Sequence, residues 1–320
     1  MSEVRAFDLL VVGRPSVDIM FSGLPEWPVL GKDIDAEALG VCAGTSFNTP
    51  AAANRLGLRV GYISMIGNDS WSRLVREEFE AEALPTDFLR IVDRPLPFIS
   101  VALNFDRDRG FVSYEDAGPE DDEELARYAR EVIATTPARH YHGYAGEEPS
   151  ELSTLARKRG MSVSLDAGGG PWWESPAPLE EMLAVADVLF ANEPEALAMT
   201  GATNVRGAAD VLAGLCPCVV VKRGAGGAMA IANGEFVERS GEPAKVLDTT
   251  GAGDCFNAGF LVGWLAGLPL EADLTLGNLC GARAVEAFGG YRGCPCEDDL
   301  LALAESKGIR LPSPTEGDRT

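Results

Sequence analysis

The chain has 320 residues, 46% hydrophobic and 24% charged, enough for one large α/β domain or two smaller ones with a core that needs no covalent staples. Its 27 basic and 49 acidic residues leave a formal charge of −22, which argues against nucleic acid and anionic membranes as partners but not against a small phosphorylated ligand. Seven cysteines without a disulfide-like framework, and a start at Met1 without a secretory leader, predict a soluble, reduced, cytoplasmic protein.

Leu9 to Gly13 reads as a buried strand ending in a glycine turn. Ala51 to Leu56 reads as a helix stopped by Gly57, Val60 to Ile66 as a strand, and Ser70 to Glu82 as an amphipathic helix ahead of Pro85. This is a β–α–β rhythm. Residues 18–41 and 98–114 break it, the first with Gly23, Pro25, Pro28 and Gly31, the second with alternating residues around a charged turn at Asp106 to Gly110. Both are expected as antiparallel excursions forming a small lid on a single domain.

Alternation then resumes. Glu123 to Ala134 and Leu179 to Ala186 read as helices; Met161 to Asp166, Val188 to Ala191 and Pro217 to Arg223 read as strands. Ala228 to Ala232 and Glu235 to Arg239 form a hairpin, Cys255 to Leu265 and Leu276 to Phe288 form helices, and 312–320 reads as a frayed tail.

Asp248-Thr249-Thr250-Gly251-Ala252-Gly253-Asp254 is the most informative stretch. A glycine turn opening a helix presents free backbone N–H groups at the positive end of the helix dipole, which suits an anion. No lysine follows, and no Gly-x-x-x-x-Gly-Lys-Ser/Thr occurs, so this is not a P-loop. An aspartate among phosphate-binding amides makes sense if a substrate hydroxyl lies between them, held by Asp254 and passing it a proton. The dipole should keep Asp254 ionised and hence a weak base, acting by alignment and late proton capture. Alone, the stretch could equally be a capped helix start.

Other residues have plain readings. Asn192-Glu193-Pro194-Glu195 is a helix start with proline in its first turn, and Gly224-Ala225-Gly226-Gly227 could be a hairpin turn. His140 and His142 point the same way on a strand, without an evident third metal ligand; Trp172 and Trp173 read as packing or as a stacking surface. The pairs Cys216/Cys218 and Cys294/Cys296 read as reduced thiols rather than as a zinc site.

The stretch ending in Asp254, continued by Phe256 and Ala258-Gly259-Phe260, resembles the C-terminal signature of the PfkB, or ribokinase-like, carbohydrate kinases. Ala43 to Gly57 resembles their N-terminal signature, with Asn192 to Glu195 and Val219 to Gly227 as ordered matches between. The resemblance runs from about Leu9 to Pro295. It implies a three-layer α/β/α sandwich with a mostly parallel sheet and a small β lid. It also implies ATP-dependent phosphorylation of a sugar-like hydroxyl with Mg²⁺, and in many members K⁺. Asp254 resembles the catalytic base and Gly251, Ala252 and Gly253 the anion hole. Asp18, Gly44 and Asn48 match the substrate positions. Asn192, Glu195, Lys222, Gly224, Gly226 and Asn278 match the nucleotide side, Glu195 holding Mg²⁺ through water. Asp248 matches a carboxylate beside a monovalent cation, and the lid of relatives often forms a homodimer.

Three departures bear on the substrate. Ala43-Gly44 replaces a glycine pair, and Ser16 stands where many sugar kinases have asparagine. Gly13-Arg14-Pro15-Ser16-Val17-Asp18 instead resembles the opening of nucleoside kinases. Asp166 to Trp173 lacks the Asp-Pro-Asn-x-Arg of many hexose kinases, which favours an uncharged substrate, although Arg14, Arg107 and Arg109 keep a charged one open. A nucleoside kinase and a non-catalytic relative are the alternatives; a dinucleotide-binding dehydrogenase lacks its Gly-x-Gly-x-x-Gly.

Overall fold

The computed structural model describes residues 6–105, 109–145, 150–168 and 179–312. The first strand, β1 (Phe7–Val12), leads through Gly13 into β2 (Pro15–Ser22), and the chain returns as β3 (Ala38–Thr45) before α1 (Asn48–Arg55). β4 (Val60–Ile66), α2 (Ser70–Ala81), β5 (Leu89–Ile91), β6 (Phe98–Asn104) and β7 (Arg109–Glu115) follow. Then come α3 (Pro119–Thr135), β8 (Ala138–Tyr144), α4 (Ser150–Lys158), β9 (Ser162–Asp166) and α5 (Leu179–Leu183). β10 (Val188–Asn192), α6 (Glu193–Thr200), α7 (Val205–Ala213), β11 (Cys218–Lys222), β12 (Ala228–Ala232) and β13 (Glu235–Arg239) complete the sheet. The helices α8 (Ala252–Ala266), α9 (Leu270–Ala284) and α10 (Glu297–Ser306) close the order.

The main sheet runs β13-β12-β11-β10-β9-β8-β1-β4-β5. It is parallel from β11 to β5, with β12 and β13 antiparallel at one edge. Every residue of β4 is buried, as expected of a parallel strand covered on both faces. One face packs on α1, α2, α8, α9 and α10 through Phe47, Phe79, Phe256 and Leu300; the other packs on α3, α4, α6 and α7 through Ala129, Leu152, Ala196 and Leu212. These are the expected three layers.

The second sheet, β3-β2-β6-β7, is the lid. Here the strands differ from expectation. β2 begins at Pro15 and β3 ends at Thr45, so Asp18 lies mid-strand. The lid is not wholly antiparallel either: β2 pairs β3 antiparallel but β6 in parallel, because β6 enters from the end of the main sheet in the same sense as β2. The turn at 106–108 lies outside the described residues, as do Trp172, Trp173 and residues 313–320 of the expected tail.

Helix limits also shift. α1 starts at Asn48, since Pro50 in the first turn costs no hydrogen bond there. α9 starts at Leu270 and ends at Ala284; α4, α7 and α10 have no counterpart in the sequence reading, and β8 is the strand expected at His140 and His142. His140 and His142 do share a face of β8, where His140 bridges Ser162 and Ser164 at 2.6 and 2.7 Å and His142 meets Ser164 at 2.7 Å. Burial pushes them down to about 3 and about 4, so both are neutral core residues. Among the described residues no cluster of potential ligands could hold a metal directly, all seven cysteines are free, and no helix is long and apolar enough to cross a membrane.

Candidate active site

The parallel strands β8 to β11 end together, so Tyr144, Asp166, Asn192 and Lys222 meet at the carboxyl edge of the sheet. In open α/β sheets that edge is where ligands bind. A cleft of about 630 Å³ opens there, between this edge, the start of α8 and the face of α9. Its walls include Thr45 and Ser46 at one end and Gly224, Ala225, Ala244, Val246, Ala282 and Val285 at the other.

Asp254 lies in the first turn of α8, whose cap residue Gly251 takes the left-handed φ of 67°. A Cβ on Gly251 would also collide with the carbonyl of Gly290, so this turn admits only glycine. Ala252, Gly253 and Asp254 line the cleft, and as the first helical residues their N–H groups have no partner inside the helix. Two groups from α1 hold the Asp254 carboxylate: Thr49 Oγ1 donates to it at 2.9 Å and Asn48 Nδ2 at 3.2 Å.

Opposite stands a buried charge network. Lys222 Nζ donates to Asp166 at 2.7 Å and to Asn257 Oδ1 at 3.2 Å, while Asn257 Nδ2 and the Gly168 N–H also donate to Asp166. Burial disfavours both charges, yet their mutual attraction wins: Asp166 stays below the usual carboxylate range and Lys222 above the usual ammonium range. Burial and then Asp166 raise Glu195, and the same two causes push Asp254 up to about 6. The helix terminus, which the sequence led us to expect would keep Asp254 ionised and a weak base, is opposed here. Desolvation and a neighbouring carboxylate outweigh the helix terminus.

Asn192 and Glu195 form a reciprocal cap. Asn192 Oδ1 accepts from the Glu195 N–H at 2.8 Å, and Glu195 Oε2 accepts from the Asn192 N–H at 2.7 Å. Both still line the cleft, and Glu195 faces Asp166 and Lys222 there. Gly224 lines it at φ 55°, whereas Gly226 does not; the indispensable glycine of that loop is Gly227, whose Cβ would strike Arg239 O and Gly241 N. Asn278 lines the cleft and donates to Ser240 O at 3.1 Å, fixing the loop after β13.

At the lid end, Asp18 is 7% exposed. Burial and Asp248 raise it to about 6, against the hydrogen bond that Ser16 donates at 2.5 Å. Gly44 sits across the strand pair, and a Cβ there would collide with the Asp18 carboxylate. Its missing side chain therefore makes room for Asp18 itself. Asp248 is buried beneath the cleft, accepting from Thr250 N at 2.9 Å and Gly289 N at 3.2 Å.

Sequence reasoning missed Asp166 as a site residue, along with Asn257, Thr49, Tyr144 and Thr45. Asp166 carried one signal, its place at a strand's carboxyl end. Thr45 carried none: it is β-branched yet held at φ 52°, with its hydroxyl 2.6 Å from Ser16.

The family model described as pfkB family carbohydrate kinase matches residues 40–296. A fructokinase from Klebsiella pneumoniae is 29% identical over 288 residues, 84% of this chain and 93% of that protein. A nucleoside kinase from Methanothermobacter thermautotrophicus is 29% identical over 303 residues, 90% of each. The structure of Arabidopsis thaliana ribokinase complexed with ribose and ATP matches with a TM-score of 0.76 at 26% identity, over 93% of this chain and 99% of that one.

Proposed function

The chain belongs to the pfkB family of carbohydrate kinases and is a phosphotransferase acting on hydroxyl groups, and from that premise we propose that it transfers the γ-phosphoryl of ATP to a hydroxyl of a sugar, with Asp254 as the base. One observation carries the reading: Asp254 stands in the first turn of α8, in the cleft, fixed by Thr49 and Asn48. An acceptor hydroxyl lying against its carboxylate donates a hydrogen bond and, as the new P–O bond forms, gives up its proton to Asp254. A carboxyl near pKa 6 is ionised at neutral pH yet is a better proton acceptor than a free aspartate. Gly251 to Gly253 are the anion hole: the N–H groups opening α8 and the Lys222 ammonium face the charge spreading over the phosphoryl oxygens. A Cβ on Gly253 would stand 3.2 Å from Lys222 Nζ, which supports placing both groups around one anion.

ATP fits the apolar end of the cleft, its base between Val246, Ala282 and Val285 and its phosphates toward Gly224 and Lys222. Three carboxylates, Asp166, Glu195 and Asp254, surround a single ammonium there, a donor set that fits Mg²⁺ held through water by Asn192 and Glu195. Bound Mg²⁺ neutralises phosphate charge. A monovalent cation such as K⁺ fits beside Asp248, where the buried Thr250 Oγ1 has no partner. Thr45, Ser46 and Asp254 line the acceptor end, with Asp18, Gly44 and Asn48 as the substrate residues beside them, and the described residues make one kinase domain.

A nucleoside acceptor is the second reading, favoured by Gly13 to Asp18 and the nucleoside kinase likeness. ADP release with ribose, fructose and adenosine separates the two; turnover with adenosine alone would remove the first. Exposed Leu39, Phe111, Val112 and Tyr114 offer a lid surface for a homodimer. Sedimentation of the intact chain against one lacking the β6–β7 hairpin tests that.

A further inference from the structure

Thr49 is wholly buried in the first turn of α1, and its Oγ1 donates to Asp254 at 2.9 Å, the shorter of the two bonds that hold this carboxylate. Tyr144 ends β8. Its hydroxyl is shut away from solvent, and its hydrogen-bond partner is the Thr49 hydroxyl. A carboxylate can only accept, so Thr49 spends its single hydrogen on Asp254, and its oxygen is left to accept from the phenol. Burial, and then Asp254, hold Tyr144 well above the ordinary phenol range, so the phenol keeps that hydrogen throughout the working pH range. The chain therefore runs one way, from Tyr144 O–H to Thr49 O–H to Asp254.

Such a chain does more than two separate bonds. Accepting from the phenol polarises the Thr49 hydroxyl and strengthens what it donates to Asp254. The anchor is firm: β8 lies inside the main sheet between β1 and β9, and the Tyr144 ring meets the His142 ring edge-on at 5.7 Å. Asn48 is the other donor to Asp254, at 3.2 Å, and its own Oδ1 has no partner to fix the amide. The remaining groups that face Asp254 are charged. Asp166 from β9 opposes its ionisation, and Lys222 from β11 favours it. Neither of those holds the carboxylate by a hydrogen bond, so its orientation depends on α1 and, behind α1, on Tyr144.

We propose that Tyr144 is a positioning residue for the base, which through Thr49 aims the Asp254 carboxylate at the acceptor hydroxyl without touching the acceptor itself. Its effect on turnover rests on the phosphoryl transfer proposed above; the hydrogen-bond chain does not.

The test uses Tyr144→Phe, which keeps the ring and removes only the donor, Thr49→Val, which removes the link, and Thr49→Ser, which keeps it. Tyr144→Phe is also combined with Thr49→Val and with Asp254→Asn. Steady-state kinetics are run with ATP, Mg²⁺ and whichever of ribose, fructose and adenosine the wild type accepts. Expected is a kcat about tenfold lower in Tyr144→Phe, and at least as low in Thr49→Val, with both KM values unchanged. Losing a donor disfavours the ionised carboxyl, so the acid limb of the kcat profile should move to higher pH. Thr49→Ser should stay near wild type, and Tyr144→Phe should change nothing further beside Thr49→Val. Urea unfolding reads the same titration with no acceptor present. The stability lost between about pH 4 and about pH 8 should widen in Tyr144→Phe, and should not widen where Asp254 is replaced by asparagine. An unmoved pH profile and an unmoved urea difference would overturn the proposal. So would an effect of Tyr144→Phe that persists in full beside Thr49→Val, or a raised acceptor KM at constant kcat, which would put the phenol on the acceptor. No turnover of any of the three acceptors by wild type would count against the phosphoryl-transfer reading instead, and the urea curves would still decide for or against the chain.

Discussion

Replacing Asp254 by asparagine should make the protein nearly inactive and, above pH 6, more stable. Burial and Asp166 raise this carboxyl from its ordinary 3.8 to about 6. Between those values the folded chain holds a proton that the unfolded chain has released, so stability falls as pH rises. The contribution is full below 3.8 and gone above about 6. At about 1.4 kcal/mol per pH unit the difference comes to about 3 kcal/mol. An asparagine carries no such penalty but cannot accept from both Thr49 and Asn48, which costs about 1 kcal/mol. The variant should therefore be about 1 kcal/mol less stable than wild type near pH 4 and about 2 kcal/mol more stable near pH 8. Other titrating groups are common to both chains and cancel. Urea unfolding at the two pH values measures this, and turnover with whichever of ribose, fructose and adenosine the wild type accepts should fall at least about a hundredfold while ATP still binds. A stability difference equal at pH 4 and pH 8 would refute the burial argument. Turnover within about tenfold of wild type would take Asp254 off the path of the proton.

Lys222→Met removes the cation from the Asp166 pair and leaves a buried carboxylate; urea unfolding should show a loss of about 3–5 kcal/mol, and the ATP KM should rise. Gly44→Ala drives a methyl into the Asp18 carboxylate, so kinetics should show a raised acceptor KM beside an unchanged ATP KM. His140 and His142 are depressed to about 3 and about 4, so the unfolded chain takes up protons first as pH falls through 6.5. Wild type should lose stability from these two groups between pH 7 and pH 5, and His140→Gln should lessen that loss in paired urea curves.

Readings that depended on neighbours in the chain were legible. The glycine turn opening α8 and the cap from Asn192 to Glu195 are made by residues within seven positions of each other, so their spacing states their geometry. The same holds for the buried run of β4. Short amphipathic helices such as α4 and α7 went unread because nine residues carry too few apolar positions to declare a period. The parallel pairing of β2 with β6 joins segments some eighty residues apart, and nothing local encodes its sense.

The sequence by itself determined the family, the α/β layering and the place of Asp254, because a helix start and an ordered set of motifs are properties of the covalent chain. Only the tertiary structure decided what Asp254 is chemically. Its desolvation, the Asp166 carboxylate from β9, the Lys222 ammonium from β11 and the donors Thr49 and Asn48 from α1 all arrive from distant segments. Electrostatics acts through space rather than along the chain, so the helix dipole, visible in the sequence, pointed to a weak base, and burial and Asp166, visible only in the fold, made it a stronger one.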